Sequence, residues 1–277
     1  MRSFVSKKDL EVLKLFSEYV YLQSSHVEEL SGRGRWVVRN ALRKLGGKRA
    51  LKQGERKGEE VSGFGYLKWL YLPDDLWGER VWFPTQKLWD HALQEGWIDQ
   101  HVEATDEKTN KLLRHNLVLT NFHLALHRLF GAKLKWSQLH HNTYVRWGQE
   151  PDEKVYADAF FYLDLGDRYP SFYVEVENSG ENKYEKGKSS RVRKMESYLE
   201  FSDGPFQEKT GADNFRVITL VPSEREANNF ITKLSNDRNL ATPKFWVADF
   251  ESAMRPAEKV FLTPKDYQHR AYSLHDV

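Results

Sequence analysis

Three carboxylates in two short apolar runs are the residues of this chain whose types and spacing bear most directly on chemistry. Asp158 stands in Tyr156-Ala-Asp-Ala-Phe-Phe-Tyr-Leu163, and Glu175 and Glu177 stand in Phe172-Tyr-Val-Glu-Val-Glu177. Alternation along the second run puts Phe172, Val174 and Val176 on one face and the two glutamates together on the other. Carboxylates on neighbouring apolar strands are costly unless a cation fills the gap between them. A divalent ion, Mg²⁺ or Mn²⁺, answers that need, with Asp158, Glu175 and Glu177 as candidate ligands. Positions 175 and 177 lie ~7 Å apart on one strand face, so they cannot both grip one ion tightly without a bridging water, which favours Glu175 as the primary ligand. A centre of this kind activates water and neutralises the charge growing on a phosphorane, which is the chemistry of phosphodiester hydrolysis.

The elements that must hold these acids follow from periodicity. The two runs flank Gly166-Asp167 and predict a β-hairpin. Around it the chain alternates: a helix over 113–130 (Leu117, Leu119, Phe122, Leu126, Leu129), strands near 133–146, 155–164 and 171–178, and a charged helix over 184–201. An apolar strand at 215–221, a helix over 224–234 that Ser223 caps, and a last strand at 244–248 complete the series. The order α-β-β-β-α-β-α-β predicts a mixed sheet with helices on both faces.

The N-terminal third reads differently. Leu10, Leu13, Phe16 and Val20 have helical spacing, with Ser6 placed to cap. A short helix at 26–30 and a turn at Ser31-Gly32-Arg33-Gly34 follow. A third helix then has Trp36, Val37, Val38, Ala41, Leu42 and Leu45 as its apolar side and Arg35, Arg39, Arg43 and Lys44 over the rest. Two strands, one from Arg49 and one at 64–72, enclose a charged loop at 53–62, and Phe83 begins a further helix. These features divide the chain into 1–80, a connector at 81–110 and a second domain at 111–277.

Composition sharpens the first domain's role. The chain has 42 basic and 40 acidic residues, yet ten of the basic ones lie between Arg33 and Lys57 with one acid, Glu55. The remainder therefore holds 32 basic and 39 acidic residues, a net of −7. Such a block marks a polyanion-binding surface. Arg33, Arg35, Arg39, Arg43, Lys44 and Lys48 are the candidate DNA contacts. With no cysteine, disulfides and thiolate zinc sites are excluded. No run approaches about 18 apolar residues and the N-terminus lacks a signal-peptide core, so a cytoplasmic protein without a membrane partner is expected.

The first domain resembles winged-helix DNA-binding domains, and the second, with Asp158 on one strand and Glu175-Val-Glu177 on the next, resembles the restriction-endonuclease-like PD-(D/E)XK superfamily. That superfamily places a Lys where Glu177 stands. The resemblance implies that Lys194, in Arg191-Val-Arg-Lys-Met-Glu-Ser-Tyr198, supplies it from the following helix, with Lys188 as a further choice and Glu177 left to hold a second metal or pair with Lys194. The whole layout is similar to the replication-relaxation proteins of plasmids and to MOBC-type relaxases. It implies a metal-dependent nicking endonuclease acting on an origin-like site in double-stranded DNA, with relaxosome or coupling proteins as partners. In that reading the basic run 180–194, with Arg191 and Arg193, clamps the DNA backbone. A second reading takes the fold as a scaffold for a non-catalytic DNA-binding regulator or replication accessory protein.

Other constellations carry less. His123 and His127 sit four apart on a helix without a third ligand. His140 and His141, adjacent on a strand, point to opposite faces and cannot share a site. Tyr144 and Tyr198 are poor nucleophile candidates. Target site, strand polarity and oligomeric state are not encoded legibly.

Overall fold

The computed structural model describes residues 5–49, 63–71, 80–99, 101–104, 110–138, 145–146, 154–177, 184–185, 188–202, 214–266 and 271–276. Contacts divide the chain into two compact units, Met1–Thr120 and Asn121–Val277. Among the described residues no helix is long and apolar enough to cross a membrane.

In the first unit, α1 (Lys7–Glu18) starts at a reciprocal cap: the Asp9 N–H donates to the Ser6 hydroxyl at 3.3 Å, and the Ser6 N–H to the Asp9 carboxylate at 2.9 Å. The short β1 (Leu22–Gln23) leads into α2 (Ser24–Ser31), which ends at Gly32, whose φ of 63° suits a residue without Cβ. Next come α3 (Arg35–Leu45), β2 (Gly46–Arg49), β3 (Leu67–Tyr71), β4 (Arg80–Pro84) and α4 (Gln86–Gln94). Val12, Leu13, Phe16, Val38, Leu42 and Leu45 close a core against Trp69, Trp82 and Trp89.

One expectation changes here, and another lies mostly outside the described residues. Of the strand expected from Arg49 only Arg49 is described, at the end of β2; β2 and β3 pair in parallel, and β3 takes its antiparallel partner from β4. A parallel pair cannot be closed by a tight turn, so the register is set elsewhere in the sheet, whose order is β1-β4-β3-β2. The loop itself lies outside the described residues. The helix expected from Phe83 starts at Gln86 with Thr85 as N-cap, because Arg80-Val-Trp-Phe-Pro84 is a β-favouring run that the sheet claims first.

In the second unit, α5 (Asn110–Phe130) runs into it from the first, followed by β5 (Leu134–Gln138), β6 (Val145–Arg146), β7 (Lys154–Val155), β8 (Ala159–Leu163) and β9 (Ser171–Val176). The chain continues through β10 (Tyr184–Glu185), β11 (Lys188–Ser189), α6 (Ser190–Ser202), β12 (Phe215–Val221) and α7 (Glu224–Ser235). It ends with β13 (Phe245–Asp249), α8 (Phe250–Ala253), β14 (Phe261–Leu262) and β15 (Ala271–Tyr272). Seven strands form one mixed sheet in the order β15-β14-β13-β12-β9-β8-β5.

The expected hairpin is present: β8 and β9 pair antiparallel with Phe161 opposite Phe172, and Gly166 in its turn has a φ of 89°. Strands β9, β12 and β13 run parallel, joined by crossovers through α6 and α7. Two right-handed crossovers stepping in the same direction put both helices on one face. Met195, Tyr198 and Phe201 of α6 and Phe230, Ile231 and Leu234 of α7 accordingly share one core with Tyr173, Val217 and Val247. Each such fully buried side chain contributes about 1.5–3 kcal/mol. The opposite face carries Phe161 and Phe172, stacked 4.7 Å apart, with Phe122 of α5 edge-on to Phe161.

His123 belongs to that opposite face. It stacks 4.5 Å from Trp136, nearly parallel, and burial together with the neighbouring His127 pushes its pKa down to about 3. It is a neutral packing residue. His140, His141 and Tyr144 lie outside the described residues.

Candidate acidic site on β9 and α6, and the basic ridge of α3

Every residue of β9 is buried on both faces, so its two sides face different neighbours. The face carrying Tyr173, Glu175 and Glu177 meets α6. Along that helix Arg191, Lys194 and Tyr198, spaced three and four apart, form one stripe, with Phe201 continuing it. The pairing is ordered. Arg191 Nε donates to Glu177 Oε2 at 3.0 Å, Lys194 Nζ and the Tyr198 hydroxyl donate to the two oxygens of Glu175, and Tyr173 packs on the rings of Tyr198 and Phe201. Helix numbering rises as strand numbering falls, so the two run antiparallel and successive strand positions meet successive helical turns.

Asp158 joins the site just before β8. Its N–H donates to the Val174 carbonyl at 3.0 Å and its carboxylate accepts the Val176 N–H at 2.7 Å, which pins the side chain against β9. Its charge reaches both Glu175 and Lys194. The structure thus brings Asp158, Glu175 and Lys194 together, and Glu177 stands one step along the same face, tied to Arg191. Arg191 extends to Glu226 of α7 at 3.9 Å and is itself mostly covered. In this arrangement it neutralises two carboxylates. Arg193 is half-buried on α6, and nothing is described of the Lys188 side chain.

The cations that the acids require are, in this arrangement, supplied by the protein. Lys194 serves Glu175 and Arg191 serves Glu177. Burial, with Asp158 adding repulsion, pushes Glu175 up to about 8 although Lys194 and Tyr198 pull the other way. Lys194 loses solvation too, but Glu175 and Asp158 outweigh the loss and hold its pKa above the ordinary lysine value. It stays an ammonium, so it can stabilise negative charge but cannot serve as a base. Tyr198 is fully buried and its pKa is raised well above the usual phenol value, by burial first and then by Glu175. It is a hydrogen-bond donor to Glu175 rather than a nucleophile.

Among the described residues no three His, Cys, Asp or Glu side chains stand close enough together to hold a metal ion. Asp158 and Glu175 form a two-carboxylate set, which suits Mg²⁺, an ion that keeps several waters and takes one or two carboxylates plus phosphate oxygens. A buried hydroxyl without a partner, Thr219 Oγ1, stands beside this set. The donors present fit a hard divalent cation at Asp158 and Glu175, with Glu177 outside its reach.

The basic candidates of the first unit separate into two groups. Arg33 donates to the Lys8 carbonyl at 2.5 Å and pairs with Glu11, while Lys44 pairs with the buried Asp9 at 2.6 Å. Both tie α3 and the turn before it to α1. Arg35, Arg39 and Arg43 lie exposed four residues apart on one ridge of α3, and among the described residues none of them pairs with a carboxylate. The Lys48 side chain is not described. Trp36 and Val37, expected in the core, are exposed by 76% and 44%. At 3.6 residues per turn, the buried stripe Val38, Ala41, Leu42 and Leu45 leaves Trp36 on the far side of the helix. The ridge therefore reads Arg35, Trp36, Arg39, Asn40, Arg43.

Reading the sequence left Thr219 and the donor role of Tyr198 unassigned. The three-and-four spacing of Arg191, Lys194 and Tyr198 carried a signal for the second, and a lone hydroxyl in an apolar strand carried one for the first.

No family profile and no curated sequence matches this chain. A structural match to the restriction endonuclease FokI has a TM-score of 0.34 and 10% identity, covering 97% of this chain and 45% of that one. A likeness this loose carries no argument, and the chemistry rests on the geometry described above.

Proposed function

We propose that the chain is a divalent-metal-dependent DNA endonuclease whose first unit, read as a winged helix, docks α3 on duplex DNA. In this reading the second unit, restriction-endonuclease-like in its arrangement of acids, cuts a phosphodiester. The observation that supports it best is Glu175: a fully buried carboxylate, 1% exposed, with Asp158 and an obligate ammonium beside it. An apolar core has no need of that trio, whereas phosphoryl transfer needs each member.

Asp158 and Glu175 would hold Mg²⁺ or Mn²⁺, which supplies Lewis-acid charge and an activated water. Asp158 is already oriented by the Val176 amide. Glu175 must surrender its proton or its ammonium partner to bind, and Tyr198 keeps that carboxylate aimed while it does so. Lys194, released from Glu175, offers a permanent positive charge to the phosphate oxygens. Arg191 holds Glu177 aside, so that this acid does not repel the scissile phosphate. The specific form of the reading is single-strand nicking at an origin-like site, which starts transfer or replication of a plasmid with coupling proteins as partners.

A second reading has one observation in its favour. Lys194 and Arg191 already pair with Glu175 and Glu177, so the two glutamates have cations without a metal, as they would in the scaffold of a non-catalytic DNA-binding regulator. Supercoiled plasmid carrying candidate origin sequences, incubated with Mg²⁺ or Mn²⁺, separates the two. The endonuclease reading expects conversion to open circles, lost in Asp158→Asn while DNA binding persists. Absence of nicking across a metal titration, with DNA binding intact, leaves the regulator.

A further inference from the structure

Strand β12 reads Phe-Arg-Val-Ile-Thr-Leu-Val, and its middle hydroxyl is out of keeping with its surroundings. Thr219 is 1% exposed and its Oγ1 has no hydrogen-bond partner among the described residues. An unpaired buried hydroxyl lowers stability, and valine would fill the same space without that penalty. The neighbouring positions of this face, Val217 and Val221, are valines.

The position of Thr219 accounts for the exception. Strands β9 and β12 are parallel, and the register partner of Thr219 is Glu175. Partners in a parallel pair share a face, so hydroxyl and carboxylate stand side by side at the strand spacing of ~4.8 Å. In the ion-free arrangement both oxygens of Glu175 are already served, one by Lys194 and the other by Tyr198. If a cation took the place of the ammonium, Tyr198 would still hold one oxygen of Glu175, and a second donor from the sheet would fix the carboxylate's rotation as well. Thr219, its register partner on the neighbouring strand, carries an unengaged donor.

We propose that Thr219 is a positioning residue of the acidic site, whose hydroxyl donates to Glu175 once a divalent cation has replaced the Lys194 ammonium there. This rests on the metal-site reading above. Donors that orient a ligand without touching the ion commonly change affinity about 10–100-fold when removed.

The test is Mn²⁺ affinity of the full chain by titration calorimetry, with thermal unfolding measured alongside. Thr219→Val is expected to bind Mn²⁺ about 10–100-fold more weakly while its Tm stays level or rises, and Thr219→Ser to restore the affinity. Equal affinity in Thr219→Val and wild type, with binding lost in Asp158→Asn, overturns the role of Thr219 and leaves the metal site standing. Equal weakening in Thr219→Ser and Thr219→Val also overturns it, since packing alone then explains the loss. If wild type does not bind Mn²⁺, or Asp158→Asn binds as well as wild type, the metal site falls and the role of Thr219 with it.

Discussion

Replacing Glu175 with glutamine should flatten the pH dependence of stability, and the size of the effect follows from the structure. Burial pushes the carboxyl up to about 8 in the fold, from an ordinary value of 4.5. A raised acid pKa means that the native state binds the proton more tightly than the unfolded state does. The resulting stabilisation is complete below about 4.5, declines as pH rises, and is gone above about 8. At 1.36 kcal/mol per unit, the span is on the order of 5 kcal/mol, with a slope of about 1.4 kcal/mol per pH unit between those limits. Lys194 adds nothing in this window, since its raised pKa lies above the ordinary lysine value. Glutamine mimics the neutral acid in shape and equally fails to satisfy both Lys194 and Tyr198, so any lost hydrogen bond enters as a constant offset. The assay is urea unfolding at intervals from pH 5 to 9, followed by tryptophan fluorescence. The wild-type curve should fall more steeply than that of Glu175→Gln by about one proton's worth of slope, so that wild type loses stability relative to the variant as pH rises. Parallel curves over the whole range would refute the argument that burial keeps this carboxyl protonated.

Further expectations follow from the same contacts. Lys194→Met should lower metal-dependent nicking by about 10²–10³-fold while Mn²⁺ affinity holds or rises, because the ammonium both competes with the ion and serves the reaction; a parallel loss of metal affinity would contradict this. Arg191→Met strands the mostly buried Glu177 and should destabilise the second unit by about 3 kcal/mol, readable as a lower urea midpoint; an unchanged midpoint would show that Glu177 finds another partner. Arg39→Ala should reduce the logarithmic salt slope of DNA affinity by about one, whereas Trp36→Ala should weaken binding at unchanged slope. Lys44→Ala should lower stability and leave the slope alone, and fluorescence anisotropy across a salt series tests all three.

Much of the second unit was legible because its signals are local. The runs at 156–163 and 172–177 are rich in β-branched and aromatic residues around Gly166-Asp167, and alternation alone placed both glutamates on one face of β9. The crossover helices declared themselves by periodicity and by the Ser223 cap. What could not be read is non-local. The antiparallel pairing of β3 with β4 could not be read, because β-propensity says where a strand can form and not which strand it joins. The need for a cation beside the acids was legible in charge alone, but sequence could not say that Lys194 and Arg191 would meet it. That depends on α6 lying antiparallel to β9 over three successive turns. Arg33 and Lys44 looked like the rest of the basic block for the same reason: their partners Glu11 and Asp9 lie on another helix. Trp36 was assigned to the core by hydrophobicity, where its angular position around α3 decides otherwise.

The account turns on Glu175 exchanging a proton for a metal ion, and calorimetric titration of Mn²⁺ in two buffers of different ionisation enthalpy measures that exchange directly. Ligands must be deprotonated to bind, so binding releases the protons they carry. At pH 7, below the titration of Glu175 at about 8, the wild type should release close to one proton per ion bound, and Glu175→Gln should show neither the release nor tight binding. Binding of Mn²⁺ without proton release, or equal binding by Glu175→Gln, would contradict the account.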